Sequence, residues 1–167
     1  MNLFETDSQC QLEERLVSLL KAGNMTVSTA ESCTGGLISG AIINAAGASD
    51  VLSESYVTYA NEAKERLVGV RCQTLEQYGA VSEETAREMA SGAAAAAGSN
   101  VGISSTGIAG PGGGTKEKPV GLVYIGCSIE GVVQVKKCMF SGNRMENRLH
   151  TVEEALKLAI QMLEAKK

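Results

Sequence analysis

A short segment of hydroxyl-bearing and small residues, Thr29 to Gly36, is the most informative part of the sequence. It follows an apolar run that predicts a strand over residues 25–30 and precedes one that predicts a helix over residues 36–46. The first N–H groups of a helix have no partner within the helix and carry partial positive charge. Ser32 is therefore predicted to lie beside donors for an anion, either a phosphate or the oxyanion of an acyl-transfer reaction.

A nucleophilic serine needs a neighbouring base, because a free hydroxyl is a poor nucleophile. The single histidine, His150, falls well inside a predicted final helix, where exposure to solvent is the usual outcome. A Ser-His-Asp triad is therefore not favoured. The remaining candidate is Lys64, in a predicted helix over residues 61–68, provided that burial lowers its pKa. By its position alone, Lys64 fits a solvated helix lysine better.

A second segment that suits ligand binding is glycine-rich and runs from Ser105 to Gly114 after a predicted buried strand. Such a run predicts a cradle of backbone donors for a phosphate or ribose, with Thr106 as the hydroxyl that touches the ligand. It is not a Walker A loop, since Gly113 rather than lysine follows the second glycine of the pattern, Gly112. Taken alone, the run is also compatible with a flexible linker.

Arg144 and Arg148 lie one helical turn apart at the start of the predicted final helix, so both fall on one face. Arginine binds phosphate through two parallel hydrogen bonds, and the pair predicts a phosphate clamp if the substrate is a mononucleotide. A solvated face is the ordinary alternative. The sequence leaves open which of the two points inward.

Tyr59 and Glu31 flank the predicted nucleophile and base. Tyr59 precedes Lys64 by five residues, so its phenol is predicted to bridge Ser32 and Lys64 or to stack on an aromatic substrate ring. A core tyrosine on a strand is an equal alternative. Glu31 is predicted to hold the loop by accepting backbone hydrogen bonds rather than to act as an acid or base.

The sequence resembles the CinA C-terminal domain family, whose members are nicotinamide-nucleotide amidases. The octet Thr-Ala-Glu-Ser-Cys-Thr-Gly-Gly is similar to the family signature, and the resemblance spans residues 8 to 165. The matching segments are Thr29 to Gly36, Tyr56 to Lys64, Gly79 to Glu83, Ser105 to Gly114, Lys118 to Gly121 and Phe140 to Arg144. The resemblance implies a catalytic pair of Ser32 and Lys64, with Tyr59 in the same motif. It departs from the family at Gly112, where many relatives carry an acidic residue.

The resemblance implies hydrolysis of nicotinamide mononucleotide to nicotinic acid mononucleotide and ammonia, with no metal or organic cofactor. The implied substrate-binding residues come from the signature turn, the glycine-rich segment and the final helix. They are Cys33, Thr34, Gly35, Gly36, Thr106, Gly107, Gly112, Gly113, Arg144 and Arg148. Two alternatives stay open: a nucleotide-binding module without catalysis, and an interaction module associated with competence or DNA damage.

The composition narrows the class of protein. The chain has 167 residues, 44% of them hydrophobic, a formal net charge of −4 and five cysteines without a C-x-x-C pair. We expect a single domain over residues 1–167 with a frayed tail over residues 1–7, in the cytoplasm, with most cysteines buried and no disulfide framework or zinc site. A dedicated nucleic-acid binder and a membrane protein are disfavoured. A homo-oligomer is expected, with a dimer favoured.

The order of predicted elements gives the fold class. Helices and strands interleave along the chain, and two late apolar runs form a predicted hairpin across Glu130-Gly131. Asn61 and Ser82 are predicted to cap the helices that follow them. The pattern predicts an α/β fold, a three-layer α/β/α sandwich with a mixed sheet.

Overall fold

The computed structural model describes the backbone of residues 7–166 and the side chains of residues 11–166. The strands in this part of the chain are β1 (Val27–Glu31), β2 (Leu52–Val57), β3 (Val101–Gly107), β4 (Leu122–Ile129) and β5 (Val132–Met139). The helices are α1 (Asp7–Ala22), α2 (Leu37–Asn44), α3 (Asn61–Val68), α4 (Cys72–Tyr78), α5 (Glu83–Ala97) and α6 (Arg144–Ala165), with a short 3-10 helix at Ala48–Asp50. The elements follow the predicted order.

The five strands form one mixed sheet in the order β2-β1-β3-β4-β5. Strand β1 is parallel to both neighbours, whereas β4 is antiparallel to β3 and to β5. The predicted hairpin is confirmed, and its turn places Glu130 at φ 48° and Gly131 at φ 86°. Two successive positive φ angles give the turn a twist that matches the flanking strands. This hairpin makes the sheet mixed.

Helices cover both faces of the sheet, so the predicted α/β/α sandwich is confirmed. Helices α1, α2 and α6 pack on one face, and α3, α4 and α5 pack on the other. Small residues allow close contact between layers. A Cβ atom added at Gly102 would lie 2.0 Å from the carbonyl oxygen of Ala90 on α5. Helix α5 therefore lies directly against β3 with no room for a side chain at that point.

Several local predictions are confirmed and one is wrong. The Ser82 hydroxyl accepts the N–H of Thr85 as the cap of α5, and Gly98 ends that helix in the left-handed conformation. Asn61 does not cap α3, because Ala60 occupies the cap position and no side chain accepts a hydrogen bond there. The earlier start of the helix by one residue places the Asn61 side chain inside the first turn instead.

Cysteine burial follows the prediction except at one position. Cys33, Cys127 and Cys138 are buried free thiols, whereas Cys72 is exposed at the start of α4. The side chain of Cys10 lies outside the described residues. Residues 1–6 of the predicted frayed tail also lie outside them, and Asp7 is the first residue of α1. Among the described residues, no helix is both long and apolar enough to cross a membrane.

The parallel strands bring the predicted site residues to one edge of the sheet. Strands β1, β2 and β3 end at Glu31, Val57 and Gly107. Because these strands are parallel, the segments that follow them leave the sheet at the same edge. Strand β5 runs in the same direction, so the start of α6 also lies there. The predicted site residues therefore gather at the carboxyl edge of the sheet.

Candidate active site

Ser32 and Lys64 meet at the carboxyl edge of the sheet. Ser32 directly follows β1, and its N–H donates to the carbonyl oxygen of Ser105 on β3 at 2.9 Å. Lys64 lies on α3, and its Nζ is 3.4 Å from Ser32 Oγ. The serine is half-buried, whereas the lysine is 1% exposed. The structure thus brings the two residues together, within the reach expected of a nucleophile and its base in the absence of substrate.

The burial of Lys64 makes its charged form less favourable than it is in water. Its Nζ donates to the carbonyl oxygen of Thr58 at 2.8 Å and to that of Tyr59 at 3.3 Å. Burial lowers the pKa of Lys64, and the nearby Glu62 carboxylate acts in the opposite direction. A neutral amine has two N–H groups and one lone pair. With the two carbonyls taking the N–H groups, the lone pair is left for the hydroxyl of Ser32.

Glu31 anchors the turn that carries Ser32. Its carboxylate is fully buried and accepts the N–H groups of Gly36, Ile38 and Ser39 at distances of 2.9, 3.0 and 2.9 Å. The hydroxyl of Thr34 donates to the same carboxylate at 2.6 Å. The start of a helix favours a negatively charged group, and at the start of α2 the Glu31 carboxylate already takes that place. The interpretation of Glu31 as a loop anchor matches these contacts.

A pocket opens beside the Ser32–Lys64 pair. Its volume is about 260 Å³, and α6 and the glycine-rich segment close two of its sides. The lining residues are Ser32, Cys33, Tyr59, Lys64, Ala80, Val81, Thr106, Gly107, Ile108, Ala109, Gly110, Gly112, Gly113 and Arg144. Polar and cationic groups thus share the pocket with the apolar side chains of Val81 and Ile108, a mixture suited to a small ligand with both polar and apolar parts.

The Tyr59 phenol neither bridges Ser32 and Lys64 nor lies in the core, whereas its stacking on a substrate ring stays a prediction. The Tyr59 side chain is 63% exposed, and its hydroxyl accepts a hydrogen bond from Arg144 Nη2 at 3.3 Å rather than lying between Ser32 and Lys64. Strand β2 ends at Val57, so the alternation of faces along a strand no longer governs Tyr59. The phenol and the guanidinium meet at the pocket instead.

The two arginines of α6 differ in position. Arg144 lines the pocket and donates through Nη1 to the carbonyl oxygen of Gly110 at 2.7 Å. Arg148 does not line the pocket, because its guanidinium binds the carbonyl oxygens of Cys33 and Thr34. Arg144 is therefore the one that a ligand in the pocket can reach.

Of the remaining predicted binding residues, some line the pocket and others do not. Thr106 lines the pocket, but its hydroxyl donates to the carbonyl oxygen of Ala80 at 2.6 Å. Thr34, Gly35 and Gly36 do not line it, and the Thr34 side chain is buried. The N–H of Gly36 is held by Glu31 and is not available to a ligand.

Cys33 lies next to Ser32 and lines the same pocket, but its chemistry is different. Burial raises the pKa of the Cys33 thiol to about 11. The thiolate is the reactive form of cysteine, so at neutral pH this side chain is a protonated and weak nucleophile. Ser32 is therefore the better candidate for attack on a substrate.

Ala80 and Val81 are pocket residues that the chemical reading of the sequence missed. They precede α5 and reach the pocket because the Thr106 hydroxyl holds the Ala80 carbonyl. Neither side chain carries a reactive group, so no chemical pattern marks them. Their presence in a segment that matches the family, Gly79 to Glu83, was the one available sign.

A larger groove lies elsewhere, between α3 and α5, with a volume of about 830 Å³. Its charged side chains include Arg71 and Glu88, which form an ion pair with each other. The smaller pocket is the better candidate for a reaction, because it contains the Ser32 hydroxyl beside the buried amine of Lys64.

Fold and site define an α/β protein with a hydroxyl–amine pair at the carboxyl edge of a mixed sheet. The model of the CinA C-terminal domain matches residues 9–163, and the chain belongs to this family. It is 56% identical over 137 residues to the CinA-like protein of Kosmotoga olearia, a match covering 82% of this chain and 33% of that protein. The chain spans about a third of the length of the curated relatives that it matches.

Solved structures of the family have the same fold. The competence/damage inducible protein CihA from Agrobacterium tumefaciens superposes with a TM-score of 0.92 at 44% identity, covering 97% of this chain and 99% of that one. A competence-damaged protein (CinA) superfamily protein from Escherichia coli superposes with a TM-score of 0.90 at 34% identity, covering 95% and 93%. The expected family and fold are thereby confirmed.

Proposed function

We propose that this protein is an amidohydrolase that removes ammonia from nicotinamide mononucleotide by a serine–lysine mechanism. The observation that carries the proposal is the 3.4 Å approach of the buried Lys64 amine to Ser32 Oγ. Serine paired with a neutral lysine is an established arrangement for acyl transfer. The amide of nicotinamide is a substrate for that chemistry, and the resemblance to the family suggests this particular amide.

In the proposed reaction, neutral Lys64 takes the hydroxyl proton of Ser32 as Oγ attacks the carboxamide carbon. Negative charge develops on the carboxamide oxygen, which needs backbone donors close by. Lys64 then gives its proton to the leaving nitrogen, and ammonia departs as the acyl-enzyme forms. A water molecule hydrolyses the acyl-enzyme, with Lys64 again serving as the base, to give nicotinic acid mononucleotide.

The pocket composition supports a mononucleotide substrate. Val81 and Ile108 offer apolar surface to a pyridine ring, and Arg144 with the Gly112–Gly113 backbone offers charge and donors to a phosphate. Gly113 has a positive φ of 84°, a backbone conformation that residues with side chains rarely adopt. The proposal places the amide at Ser32 and the phosphate toward Arg144.

Ammonia release from nicotinamide mononucleotide tests the proposal in the wild type and in two variants, S32A and K64A. We expect wild-type turnover and a loss of at least about 1,000-fold in each variant, because removing a nucleophile or its base costs factors of this size. Retained turnover in S32A would refute the assignment of the nucleophile. A wild type that binds the nucleotide without releasing ammonia would instead identify a binding module.

A further inference from the structure

The guanidinium of Arg148 binds the backbone of the turn that carries Ser32. Its Nε donates to the carbonyl oxygen of Cys33 at 3.0 Å, and its Nη2 donates to that of Thr34 at 2.9 Å. Two N–H groups of one rigid, planar cation therefore hold two successive carbonyls. Because the guanidinium is planar and always charged, this contact fixes the orientation of both peptide groups.

Three N–H groups around the turn are already committed to protein acceptors. The N–H of Ser32 donates to Ser105, that of Gly36 donates to Glu31, and that of Leu37 donates to the Thr34 carbonyl. The N–H groups of the turn without a protein acceptor are those of Cys33, Thr34 and Gly35, and of these three residues Cys33 lines the pocket. Two of these three N–H groups belong to the peptide groups that Arg148 holds.

In a trans peptide group, the carbonyl of one residue and the N–H of the next point in opposite directions. With the carbonyls of Cys33 and Thr34 directed to Arg148, the N–H groups of Thr34 and Gly35 are directed to the other side of the turn. We infer that Arg148 is a positioning residue: it holds the turn that presents Ser32 and the adjacent Cys33 backbone to the pocket, where the oxyanion forms, and it does not bind the substrate phosphate. This inference rests on the proposed acyl-transfer function.

Glu31 and Arg148 hold the same turn through different backbone groups. The carboxylate accepts N–H groups that follow the turn, and the guanidinium binds carbonyls within it. A carboxylate can only accept hydrogen bonds and a guanidinium can only donate them, so neither residue can take over the contacts of the other. Such preorganisation lowers the reorganisation needed when charge develops on the substrate.

Kinetics on nicotinamide mononucleotide separate the two roles. R148A is expected to lower kcat by about 100-fold with little change in KM, a loss typical of an impaired oxyanion site. R144A is expected to raise KM chiefly. R148K keeps the positive charge but has a single ammonium group in place of the planar fork that binds two carbonyls, so its kcat should fall between those of R148A and the wild type. R15A is the matched control, since Arg15 forms only an exposed ion pair with Glu164. A raised KM with unchanged kcat in R148A would overturn the inference.

A second measurement does not require turnover of any nucleotide. Phenylmethylsulfonyl fluoride forms a bond from Ser32 Oγ to its sulfur while the S–F bond breaks, fluoride leaves and Lys64 takes the hydroxyl proton. Negative charge on the sulfonyl oxygens needs the same donors. Intact mass should show labelling of the wild type and R15A, none at this site in S32A, and about 100-fold slower labelling of R148A. Wild-type labelling rates in a folded R148A, as judged by its thermal midpoint, would refute the inference even if ammonia release had failed.

Discussion

The amine of Lys64 donates a 2.8 Å hydrogen bond to the carbonyl oxygen of Thr58, one residue beyond β2. The Thr58 N–H in turn donates to the Glu31 carbonyl on β1 at 2.8 Å. The position of the candidate base relative to Ser32 is therefore set by the pairing of two parallel strands. A rigid sheet holds such a pair more accurately than two loops would.

The rate of ammonia release should rise with pH through the pKa of Lys64. Only the neutral amine accepts the Ser32 proton, and burial holds the pKa of Lys64 below its usual range. We expect kcat/KM to fall as pH falls through this lowered pKa. As pH rises, kcat/KM should reach a plateau before the ordinary lysine pKa of about 10.4. A profile of kcat/KM from pH 5 to 10 measures this. A rate that is flat over the whole range would argue against lysine as the base.

The same burial predicts a pH dependence of stability. The folded state binds its Lys64 proton more weakly than the unfolded state does, so the unfolded state holds more protons between the lowered pKa and about 10.4. The contribution of Lys64 to the free energy of unfolding therefore rises with pH across that window and is least favourable below it. Urea unfolding at several pH values gives the free energy of unfolding of the wild type and of K64M. The wild-type value minus the K64M value should increase as pH rises. A difference independent of pH would contradict the predicted shift.

Much of the fold could be predicted because periodicity and local turn chemistry agree with the tertiary structure. The Glu130-Gly131 turn and the Ser82 cap each depend on a few neighbouring residues, and both are visible in the sequence. Asn61 was misplaced as a cap because the helix starts one residue early, a detail that packing decides. Boundaries of this kind are the least predictable part of a pattern.

The candidate site was predictable in composition but not in arrangement. Residue types made Ser32 and Lys64 candidates and the family resemblance paired them, yet the burial of Lys64 depends on how α3 packs beside β2, which no local pattern contains. Helical spacing placed Arg144 and Arg148 on one face, but one helical turn advances about 5.4 Å along the axis. That distance is enough to put Arg144 at the pocket and Arg148 behind the Ser32 turn.

Replacing Glu31 with glutamine should destabilise the protein by about 2–4 kcal/mol, because buried donors are left without acceptors. The carboxylate accepts three backbone N–H groups with its two oxygens, whereas glutamine offers one oxygen and directs an NH₂ group at donors. Urea unfolding measures the loss. E117Q, at an exposed loop position, is the control and should change stability by less than about 0.5 kcal/mol. An E31Q protein as stable as the control would mean that the anchor is dispensable.

Replacing Tyr59 with phenylalanine removes only the hydroxyl that accepts from Arg144. We expect kcat to stay within about twofold and KM to rise by roughly 2–10-fold, the range that a single hydrogen bond contributes. Steady-state kinetics on nicotinamide mononucleotide give both values. A collapse of kcat with unchanged KM would instead support the bridging role between Ser32 and Lys64 that the sequence suggested.

Two glycine-to-alanine substitutions should differ sharply in their effect on stability. A Cβ at Gly102 would lie 2.0 Å from the Ala90 carbonyl oxygen, so G102A must push α5 away from β3. We expect G102A to lose at least about 1–3 kcal/mol, as overpacked cores do. A Cβ at Gly112 meets no heavy atom within 4 Å, so G112A should change stability by less than about 0.5 kcal/mol. Thermal unfolding of both variants measures the contrast. Equal midpoints would mean that α5 does not lie as close to β3 as its contacts with Gly102 require.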